Sequence, residues 1–390
     1  MATHIHFHSS EDKKFSVGGT TGPTGNPGPR GPVGVKGPVG NKASITNIPT
    51  RFSNIFNIGG LGGVQYSSNA YTWNSGNNYL LQNDGSLNGI AYGSNLWVGV
   101  GSNTNSYIQV SKDGYNWTTA SNGGFFDGQG YGVAYGSNKW VAVGSGPSCI
   151  QVSTDGYNWT PSSNGISTNN YGFYGVAYGS NKWVAVGGNP SSIQVSTDGY
   201  NWSSSSNGGF SVVSLGVAYG SNKWVAVGIS DSARSSIQVS TDGYNWSTIT
   251  NGGFSDGNYA AGVAYGSNKW VAVGSGPSSI QVSTDGYNWT PSSNGGFSDG
   301  NNAVGVAYGN NQWVVVGTGP SSIQVSRDGY NWSTISTSLL TSNFCVAYGV
   351  GELKTEAGVG FMNVNKINNI PTVALQAMYQ QWLSNNGNFY

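Results

Sequence analysis

The chain has little charge and almost no cysteine. Only 8% of its 390 residues are charged, and acidic and basic residues balance to a formal net charge of zero at pH 7. A chain without net charge creates no global field that would attract nucleic acid or an anionic membrane. The two cysteines, Cys149 and Cys345, lie in different parts of the repeat described below, so we expect no disulfide between them. From the lack of net charge we predict no nucleic-acid partner.

Long apolar runs are missing as well. No stretch of about 18 apolar residues occurs, so we predict no membrane insertion. The first residues, MATHIHFHSSEDKK, contain no apolar segment of the kind found in signal peptides, so we predict no secretory signal. A surface protein without such a signal must leave its cell by lysis, through a dedicated machine, or inside an assembled particle.

What the sequence has in abundance is repetition. The heptapeptide STDGYNW occurs at 153–159, 196–202, 240–246 and 283–289, and SKDGYNW and SRDGYNW at 111–117 and 326–332 differ from it at one position. The Trp that ends each copy recurs at intervals of 42 to 44 residues. A second motif, GVAYGSNKWVAVG, recurs in step with the first. A fixed period of this length indicates a repeat architecture.

One period predicts four short strands. GVAYG is the first, KWVAVG follows after a Ser-Asn turn, SSIQVS is the third, and YNWTPSS follows after an Asp-Gly turn. The segment WVAV is apolar at every position, which is typical of a strand buried on both faces. Four strands in about 40 to 50 residues form the period of a β-propeller blade.

The two ends of the repeat region predict how the blades are arranged. VQYSSNAYTW (64–73) precedes the first complete copy and aligns with IQVSTDGYNW, whereas FCVAYG (344–349) follows the last copy and matches a first strand. The missing second strand is SNIFNIGG (53–60) or, alternatively, AGVG (357–360). A ring explains why one repeat is split, because closure removes free sheet edges. We therefore predict an all-β fold, a seven-bladed β-propeller closed by strands from both ends.

The heptapeptide resembles the Asp box of sialidase-type and BNR-repeat propellers, S-x-D-x-G-x-T-W, with one residue fewer between Asp and Trp. The resemblance covers about residues 53 to 360 and implies a structural turn between third and fourth strands, away from the ligand-binding face. These residue types suit a turn, because Asp accepts backbone N–H groups, Gly allows positive φ and Trp buries a large apolar area. The structural aspartates would be Asp113, Asp155, Asp198, Asp242, Asp285 and Asp328.

Eight unbroken Gly-X-Y triplets occupy residues 19–42. Only Gly fits at the axis of a collagen triple helix, and Pro presets the backbone torsion that this helix needs. The triplets therefore predict a collagen-like triple helix and a homotrimer, with a flexible Gly/Pro linker as the alternative. They resemble the stalks of bacteriophage fibres, giant-virus surface proteins and bacterial spore-surface filaments, which implies display on the surface of a virion or spore.

All three histidines, His4, His6 and His8, lie ahead of the triplets. In a β-strand this spacing places them on one face, and a three-fold axis would repeat that face three times. Clustered imidazoles suit a transition metal, and histidine pairs in phage tail fibres and spikes are similar. The alternative is a solvated arm that anchors the chain to a particle surface protein. We predict no other cofactor.

These features divide the chain into four segments. We predict an N-terminal arm at 1–18, a collagen-like stalk at 19–42, a propeller at 43–365 and a C-terminal tail at 366–390. In the tail, helical spacing of apolar residues after an N-capping threonine predicts a short helix, with Leu375, Met378 and Trp382 on one face. We expect this helix to dock on the propeller or on a neighbouring chain.

Catalytic residues are scarce. A sialidase needs an arginine triad, a Tyr–Glu nucleophile pair and an acid, but the propeller has only Arg51, Arg234 and Arg327, the last inside a heptapeptide copy. Glu352 and Glu356 are the only glutamates in or near it. A general glycosidase needs two carboxylates across the scissile bond. The loop aspartates Asp127, Asp256 and Asp299 recur at equivalent positions of different blades, so we do not expect them to face one another as such a pair. We therefore predict that the protein is not an enzyme.

The loops favour binding instead. Scaffold strands repeat almost letter for letter, whereas the loops vary and carry Phe, Tyr, Asp and Asn, which stack on sugar rings and bond hydroxyls. We predict a non-enzymatic attachment protein that binds a host or environmental receptor, with a glycan as candidate ligand; a purely structural decoration is the alternative. For each loop Phe the alternative is packing between blades. The candidate ligand-binding residues are Phe125, Phe126, Asp127, Tyr131, Phe173, Phe210, Asp231, Arg234, Phe254, Asp256, Tyr259, Phe297 and Asp299.

Overall fold

The structure is a computed structural model, and the predicted arm, stalk and C-terminal tail lie outside the residues it describes. Within the described part of the chain, 28 strands form seven four-stranded antiparallel sheets, each of them one blade of a β-propeller. The predicted all-β, seven-bladed propeller is thereby confirmed, whereas the predicted triple helix at 19–42 lies outside the described residues. Among the same residues, no helix has the length and apolar character needed to cross a membrane. The structure describes residues 51–353 apart from 77–84, 103–107, 126–127, 165–171, 189–192, 231–234, 250, 255–257, 298–300, 320–321 and 336–341.

Six of the seven blades are each formed by four consecutive strands of the chain. In chain order they are β1 (Arg51–Gly60), β2 (Gly63–Ser67), β3 (Asn74–Ser75), β4 (Ser86–Gly93), β5 (Leu96–Ser102), β6 (Ile108–Ser111), β7 (Thr118–Thr119), β8 (Gly130–Gly136), β9 (Lys139–Gly144), β10 (Ile150–Ser153), β11 (Thr160–Pro161), β12 (Phe173–Gly179), β13 (Lys182–Gly187), β14 (Ile193–Ser196), β15 (Ser203–Ser204), β16 (Val213–Gly220), β17 (Lys223–Ile229), β18 (Ile237–Ser240), β19 (Ser247–Thr248), β20 (Ala260–Gly266), β21 (Lys269–Gly274), β22 (Ile280–Ser283), β23 (Thr290–Pro291), β24 (Ala303–Gly309), β25 (Gln312–Gly317), β26 (Ile323–Ser326), β27 (Ser333–Thr334) and β28 (Asn343–Leu353). Blades 1 to 6 are β4–β7, β8–β11, β12–β15, β16–β19, β20–β23 and β24–β27.

The seventh blade, here called the closing blade, is built from both ends of the described chain. Its strand order is β28-β1-β2-β3, so the last strand pairs with the first. Ile58 of β1 lies opposite Val346 of β28 and Gln65 of β2. The prediction that the split repeat closes the ring is confirmed, and SNIFNIGG supplies the second strand.

Blades 1 to 6 join their first two strands through a two-residue turn, Ser-Asn in five of them. Both turn residues have positive φ, for example 47° at Ser137 and 57° at Asn138, which suits strand twist but strains residues other than Gly. The preceding Gly136 lies under the ring of Tyr178 in the next blade, where an added Cβ would stand 2.2 Å from the ring. This Gly–Tyr contact recurs at every junction of the ring, and Gly349 and Tyr92 complete it. The Ala-Tyr-Gly triplet is therefore a blade-packing element.

The hydrophobic core lies in the clefts between blades. Each of the seven clefts among the described residues holds one apolar cluster. In the cleft between blades 1 and 2, Val98 and Val110 of one blade pack against Trp140 and Trp159 of the other. Second strands are buried on both faces, as predicted, because each is sandwiched between two such clusters.

The heptapeptide forms the turn between third and fourth strands in blades 1 to 6. In blade 2 the Asp155 carboxylate accepts the backbone N–H groups of Tyr157 and Asn158 at 2.8 and 2.7 Å, and the Trp159 indole donates to the Gly156 carbonyl at 2.8 Å. The backbone N–H of Trp159 donates to Asn122 of blade 1 at 2.9 Å. The turn therefore holds itself together and also ties its blade to the preceding one.

The predicted fourth strand is wrong in extent. YNWTPSS was expected to be extended throughout, but in blade 2 only Thr160 and Pro161 pair with the third strand. Tyr157, Asn158 and Trp159 belong to the turn instead, because the carboxylate of Asp155 accepts the backbone N–H groups of Tyr157 and Asn158 and the Trp159 ring packs in the cleft. The outermost strand of each blade is consequently very short, which limits the exposed sheet edge.

Candidate ligand-binding face

The ring has two unlike faces. The turn face carries the Ser-Asn turns and the heptapeptide turns, which repeat almost unchanged from blade to blade. The loop face carries the connections from second to third strands and from each blade to the next, where the sequence varies. Of the large apolar side chains that are exposed, Leu61 and Val212 lie on the loop face, each 52% exposed. A variable, partly apolar face on a constant scaffold is the place to look for binding.

Several predicted site residues cannot be placed on this face. The tentative metal ligands His4, His6 and His8 lie outside the described residues. Among the described residues, no three His, Cys, Asp or Glu side chains come together as metal ligands do. The predicted ligand-binding residues that also lie outside the described ranges are Phe126, Asp127, Asp231, Arg234, Asp256 and Asp299.

Four predicted ligand-binding phenylalanines belong to the core. Phe125, Phe173, Phe210 and Phe297 are at most 3% exposed, and each fills the cleft between two blades. The prediction that these rings stack on a ligand is therefore wrong, because a ring this deeply buried offers no face to a ligand. The alternative interpretation, packing between blades, is the correct one for all four.

The remaining three predicted residues, Tyr131, Phe254 and Tyr259, are partly exposed on the loop face. Tyr131 stacks on Tyr174 of the next blade, with ring centroids 4.9 Å apart and planes at 22°. Burial raises the pKa of Tyr174 and of Tyr259 above the ordinary value for tyrosine. The sequence-based prediction included Phe173 and missed its neighbour Tyr174. Its position before Gly-Val-Ala-Tyr, which matches that of Tyr131, was the signal that could have identified it.

Tyr131 and Tyr174 belong to a ring of equivalent positions that we call the collar. In every blade the first strand has a β-bulge at this position, where the register to the second strand shifts by one residue. Bulges re-aim side chains and are over-represented beside functional sites. The collar residues differ in every blade apart from the two tyrosines, and they are Asn88, Tyr131, Tyr174, Leu215, Ala261, Val304 and Phe344.

The collar adjoins a central channel with a volume of about 210 Å³, because Phe344 lines the channel and each of the other collar residues directly precedes a lining glycine. One β-branched side chain per blade lines it, as Ile90 and Val133 do, and first-strand glycines let the strands approach closely. Cys345 lies in the wall, where burial raises the pKa of its thiol to about 12. The channel lining offers apolar contact, and the collar adds the stacked tyrosines and, as its polar residue, Asn88.

Comparison with known proteins supports the fold and no more. No protein-family model and no curated protein sequence matches the chain. Among solved structures, the chain is similar to YCF48 bound to D1 peptide, with 14% identity, a TM-score of 0.50, and coverage of 77% of this chain and 100% of that one. It is also similar to a catalytically inactive virginiamycin B lyase from Staphylococcus aureus with quinupristin, with 13% identity, a TM-score of 0.56, and coverage of 70% and 94%.

Proposed function

We propose that this protein is a non-catalytic attachment protein whose propeller binds a receptor on its loop face. The observation that carries the proposal is the collar. In a scaffold whose second and third strands repeat almost letter for letter in blades 1 to 6, the bulged position beside the channel has six different residue types in seven blades. Variation at exposed positions on a constant scaffold is what a binding surface needs, since the scaffold supplies rigidity and the variable residues supply specificity.

A glycan is the ligand class that we propose. The stacked rings of Tyr131 and Tyr174 offer a flat aromatic surface for the apolar face of a sugar. Asn88 stands at the adjacent collar position and donates to the Gly130 carbonyl at 2.9 Å, so its carboxamide is held in place beside them. Leu215 and Phe344 make the other side of the collar apolar. The collar thus combines stacking with a hydrogen-bonding group, as sugar recognition requires.

We propose further that the head is displayed as a homotrimer on the surface of a virion or spore. The Gly-X-Y triplets at 19–42 would bring three chains together, and the arm at 1–18 would contact a particle surface protein, with or without a transition metal at His4, His6 and His8. Three copies of a weak site would then gain affinity through avidity. A purely structural decoration is the second candidate, which is supported by the hydrogen bonds that tie neighbouring blades, such as those from the backbone N–H groups of Trp159 and Trp202 to Asn122 and Asn164.

The absence of catalysis is part of the proposal. The thiol of Cys345 is protonated at neutral pH by virtue of its raised pKa, and a protonated thiol is a poor nucleophile. A tyrosine hydroxyl is protonated at neutral pH at its ordinary pKa of about 10, and burial raises the pKa of Tyr174 and Tyr259 further. Cys345, Tyr174 and Tyr259 are thus not poised to transfer a proton near neutral pH.

A glycan array probed with the full-length chain tests the proposal. We expect binding to at least one neutral oligosaccharide, weakened about tenfold by each of Tyr131→Ala and Tyr174→Ala because each removes a stacking contact. Tyr287→Ala is the matched control, since Tyr287 is an exposed tyrosine of the turn face. If Tyr287→Ala abolishes binding and the two collar variants bind like the wild type, the site lies on the turn face instead. Silence of the wild-type chain on the array would favour structural decoration.

A further inference from the structure

The described residues of two loops with the same sequence make different contacts. NGGFSDGN occurs at 251–258, between blades 4 and 5, and again at 294–301, between blades 5 and 6. In the second copy Phe297 is 2% exposed and lies in the core of its cleft. In the first copy the equivalent Phe254 is only partly buried and packs against the outside of the cluster. The loop sequence itself cannot explain this difference.

A residue outside the loop explains it. Ile249 stands three residues after the heptapeptide Trp246, and the equivalent residue before the second loop is Ser292. Ile249 is 6% exposed and forms part of the apolar cluster between blades 4 and 5, which the serine does not do in its own cleft. Because interiors are close-packed, a cleft that already holds an isoleucine has no room for a phenylalanine ring. Ile249 therefore displaces Phe254.

The hydrogen bonds around the two loops agree. In the second copy Gln324 clamps Gly296, accepting its N–H at 2.9 Å and donating to its carbonyl at 2.6 Å. The N–H of Phe297 donates to the buried hydroxyl of Ser279 at 2.7 Å. Asn294 accepts the N–H of Trp332 at 2.6 Å. Together these bonds hold the loop against the cleft with its ring inside.

The corresponding groups near the first copy make no such hydrogen bonds with the described residues of its loop. Gln281, which matches Gln324, donates to Ser278 of its own blade at 3.1 Å, and its buried side-chain oxygen has no partner among the described residues. The buried hydroxyl of Ser236, which matches Ser279, also has none there. Buried polar groups are usually hydrogen-bonded. Both unpartnered groups face the cleft between blades 4 and 5, at the positions where Gln324 and Ser279 bind the loop between blades 5 and 6. The first loop therefore lacks the contacts that hold the second loop against its cleft.

We infer that Phe254 is a ligand-contacting ring of the loop face and that Ile249 determines this by keeping the ring out of the core. The inference rests on the proposed function and adds one residue to its site. Tyr259, five residues further on, is also partly exposed, and its N–H is held by the Ser275 hydroxyl at 2.9 Å. Two aromatic rings on the same connection suit a ligand with an apolar ring face, such as a neutral sugar.

A reciprocal exchange in the full-length chain tests the displacement without any ligand. We expect Ile249→Ser to let Phe254 enter the cleft and Ser292→Ile to expel Phe297. Hydroxyl-radical footprinting with mass spectrometry measures this, because ring oxidation follows exposure. Oxidation of Phe254 should fall several-fold in the first variant, and that of Phe297 should rise several-fold in the second. Unchanged oxidation of both rings in folded variants would overturn the displacement by Ile249.

The ligand role has its own readout, binding to a biotinylated panel of neutral oligosaccharides. We expect Ile249→Ser and Phe254→Ser each to weaken binding about tenfold, the factor for one stacking contact. Phe254→Ser keeps Ile249 in the cleft and therefore guards against a folding defect. If footprinting changes as expected while both variants bind like the wild type, Phe254 has no ligand role and the collar site stands. A wild-type chain that binds nothing in the panel overturns the ligand role together with the proposed function, whereas the footprint still decides the displacement.

Discussion

The closing blade and the six continuous blades solve the same packing problem in different ways. A continuous blade links its first two strands through a two-residue turn, whereas the closing blade has no covalent link there and pairs β28 with β1 along ten residue pairs. Four of these pairs, from Asn54 opposite Val350 to Arg51 opposite Leu353, extend beyond the last pair of an ordinary hairpin. The two strands that pair without a connecting turn therefore form a longer ladder than the first two strands of a continuous blade.

The closing blade also has a less regular core. At one second-strand position the continuous blades all have a fully buried valine, such as Val141 in blade 2, whereas the closing blade has Asn57. Asn57 is 0% exposed, and neither polar atom of its side chain has a partner among the described residues. The comparison shows that the blade that joins the two ends departs from the other six at a core position, where it leaves a buried amide without a partner among the described residues.

Removal of the closing strands should have the largest effect. Deleting residues 43–75 takes away β1, β2 and β3 and exposes the clusters that pack against them. We expect loss of the cooperative thermal transition, because an open ring leaves two unpaired blades. Truncation of residues 366–390 is the control, since it removes none of the described strands, and calorimetry should show its transition retained. A sharp transition in the deletion variant would mean that six blades suffice.

The Gly–Tyr contacts should be costly to disturb in both kinds of blade. An added Cβ at Gly179 would stand 2.2 Å from the ring of Tyr219, and one at Gly349 would stand 2.3 Å from that of Tyr92. We expect each substitution by Ala to destabilise the fold by roughly 1–3 kcal/mol through overpacking, measured by urea unfolding. Gly62→Ala separates out backbone strain, because φ is 76° there and no atom lies within 4 Å of the added group. Equal costs for all three would contradict the packing explanation.

Asn57→Val should stabilise the closing blade. It replaces an unpaired buried amide with the residue that the continuous blades use, and we expect a gain of about 1–3 kcal/mol in the free energy of unfolding. The converse change Val141→Asn in blade 2 should destabilise by a similar amount. Denaturant midpoints of the two variants check this. A loss of stability in Asn57→Val would show that the amide is paired with solvent inside the cleft.

Acid should loosen the continuous blades before the closing blade. Hydrogen bonds, first among them the one from the Asn158 backbone, hold the pKa of Asp155 at about 2, and the Asn288 backbone does the same for Asp285. A lowered pKa in the folded state means that the contribution is complete above the ordinary value of about 3.9 and is lost as pH falls through about 2.

In the closing blade Asn69 makes the same turn with a neutral amide, which accepts the N–H groups of Tyr71 and Thr72 at 2.8 Å. Hydrogen exchange across this pH range should therefore show the heptapeptide turns losing protection first. The effect is small, because these carboxylates are largely solvent-exposed and screened. Asp155→Asn should make the turn of blade 2 as insensitive to acid as that of the closing blade; equal acid response in both kinds of turn would refute the assignment.

Gly31→Asp should leave the propeller unchanged and abolish the trimer. In a triple helix three carboxylates would meet at an axis that has room only for hydrogen, so sterics and like-charge repulsion both oppose assembly. The ring closes within one chain, so the melting temperature of the head should not move. Light scattering on both proteins at low temperature measures the mass. A wild-type monomer would end the stalk proposal, and a variant that stays trimeric would move the assembly contacts elsewhere.

The number of blades and the closure of the ring could be predicted from sequence. Strand periodicity and turn residues are local signals, and six near-copies of each signal support the same assignment of strands and turns. The split of VQYSSNAYTW and FCVAYG between the two ends then admits one closed arrangement. The extent of the fourth strand could not be predicted in the same way, because the carboxylate of Asp155 competes with the third strand for the backbone of Tyr157 and Asn158.

Only the tertiary structure decided which aromatic rings face solvent. Phe254 and Phe297 stand in identical octapeptides, so no local signal distinguishes them. Their burial depends on whether Ile249 or a serine stands at the start of the connection, since Ile249 joins the apolar cluster of its cleft whereas Phe297 joins that of the other. The collar likewise exists only where seven bulges meet around an axis. Local chemistry along the chain determined the blades, and competition for space between blades determined the surface that is left for binding.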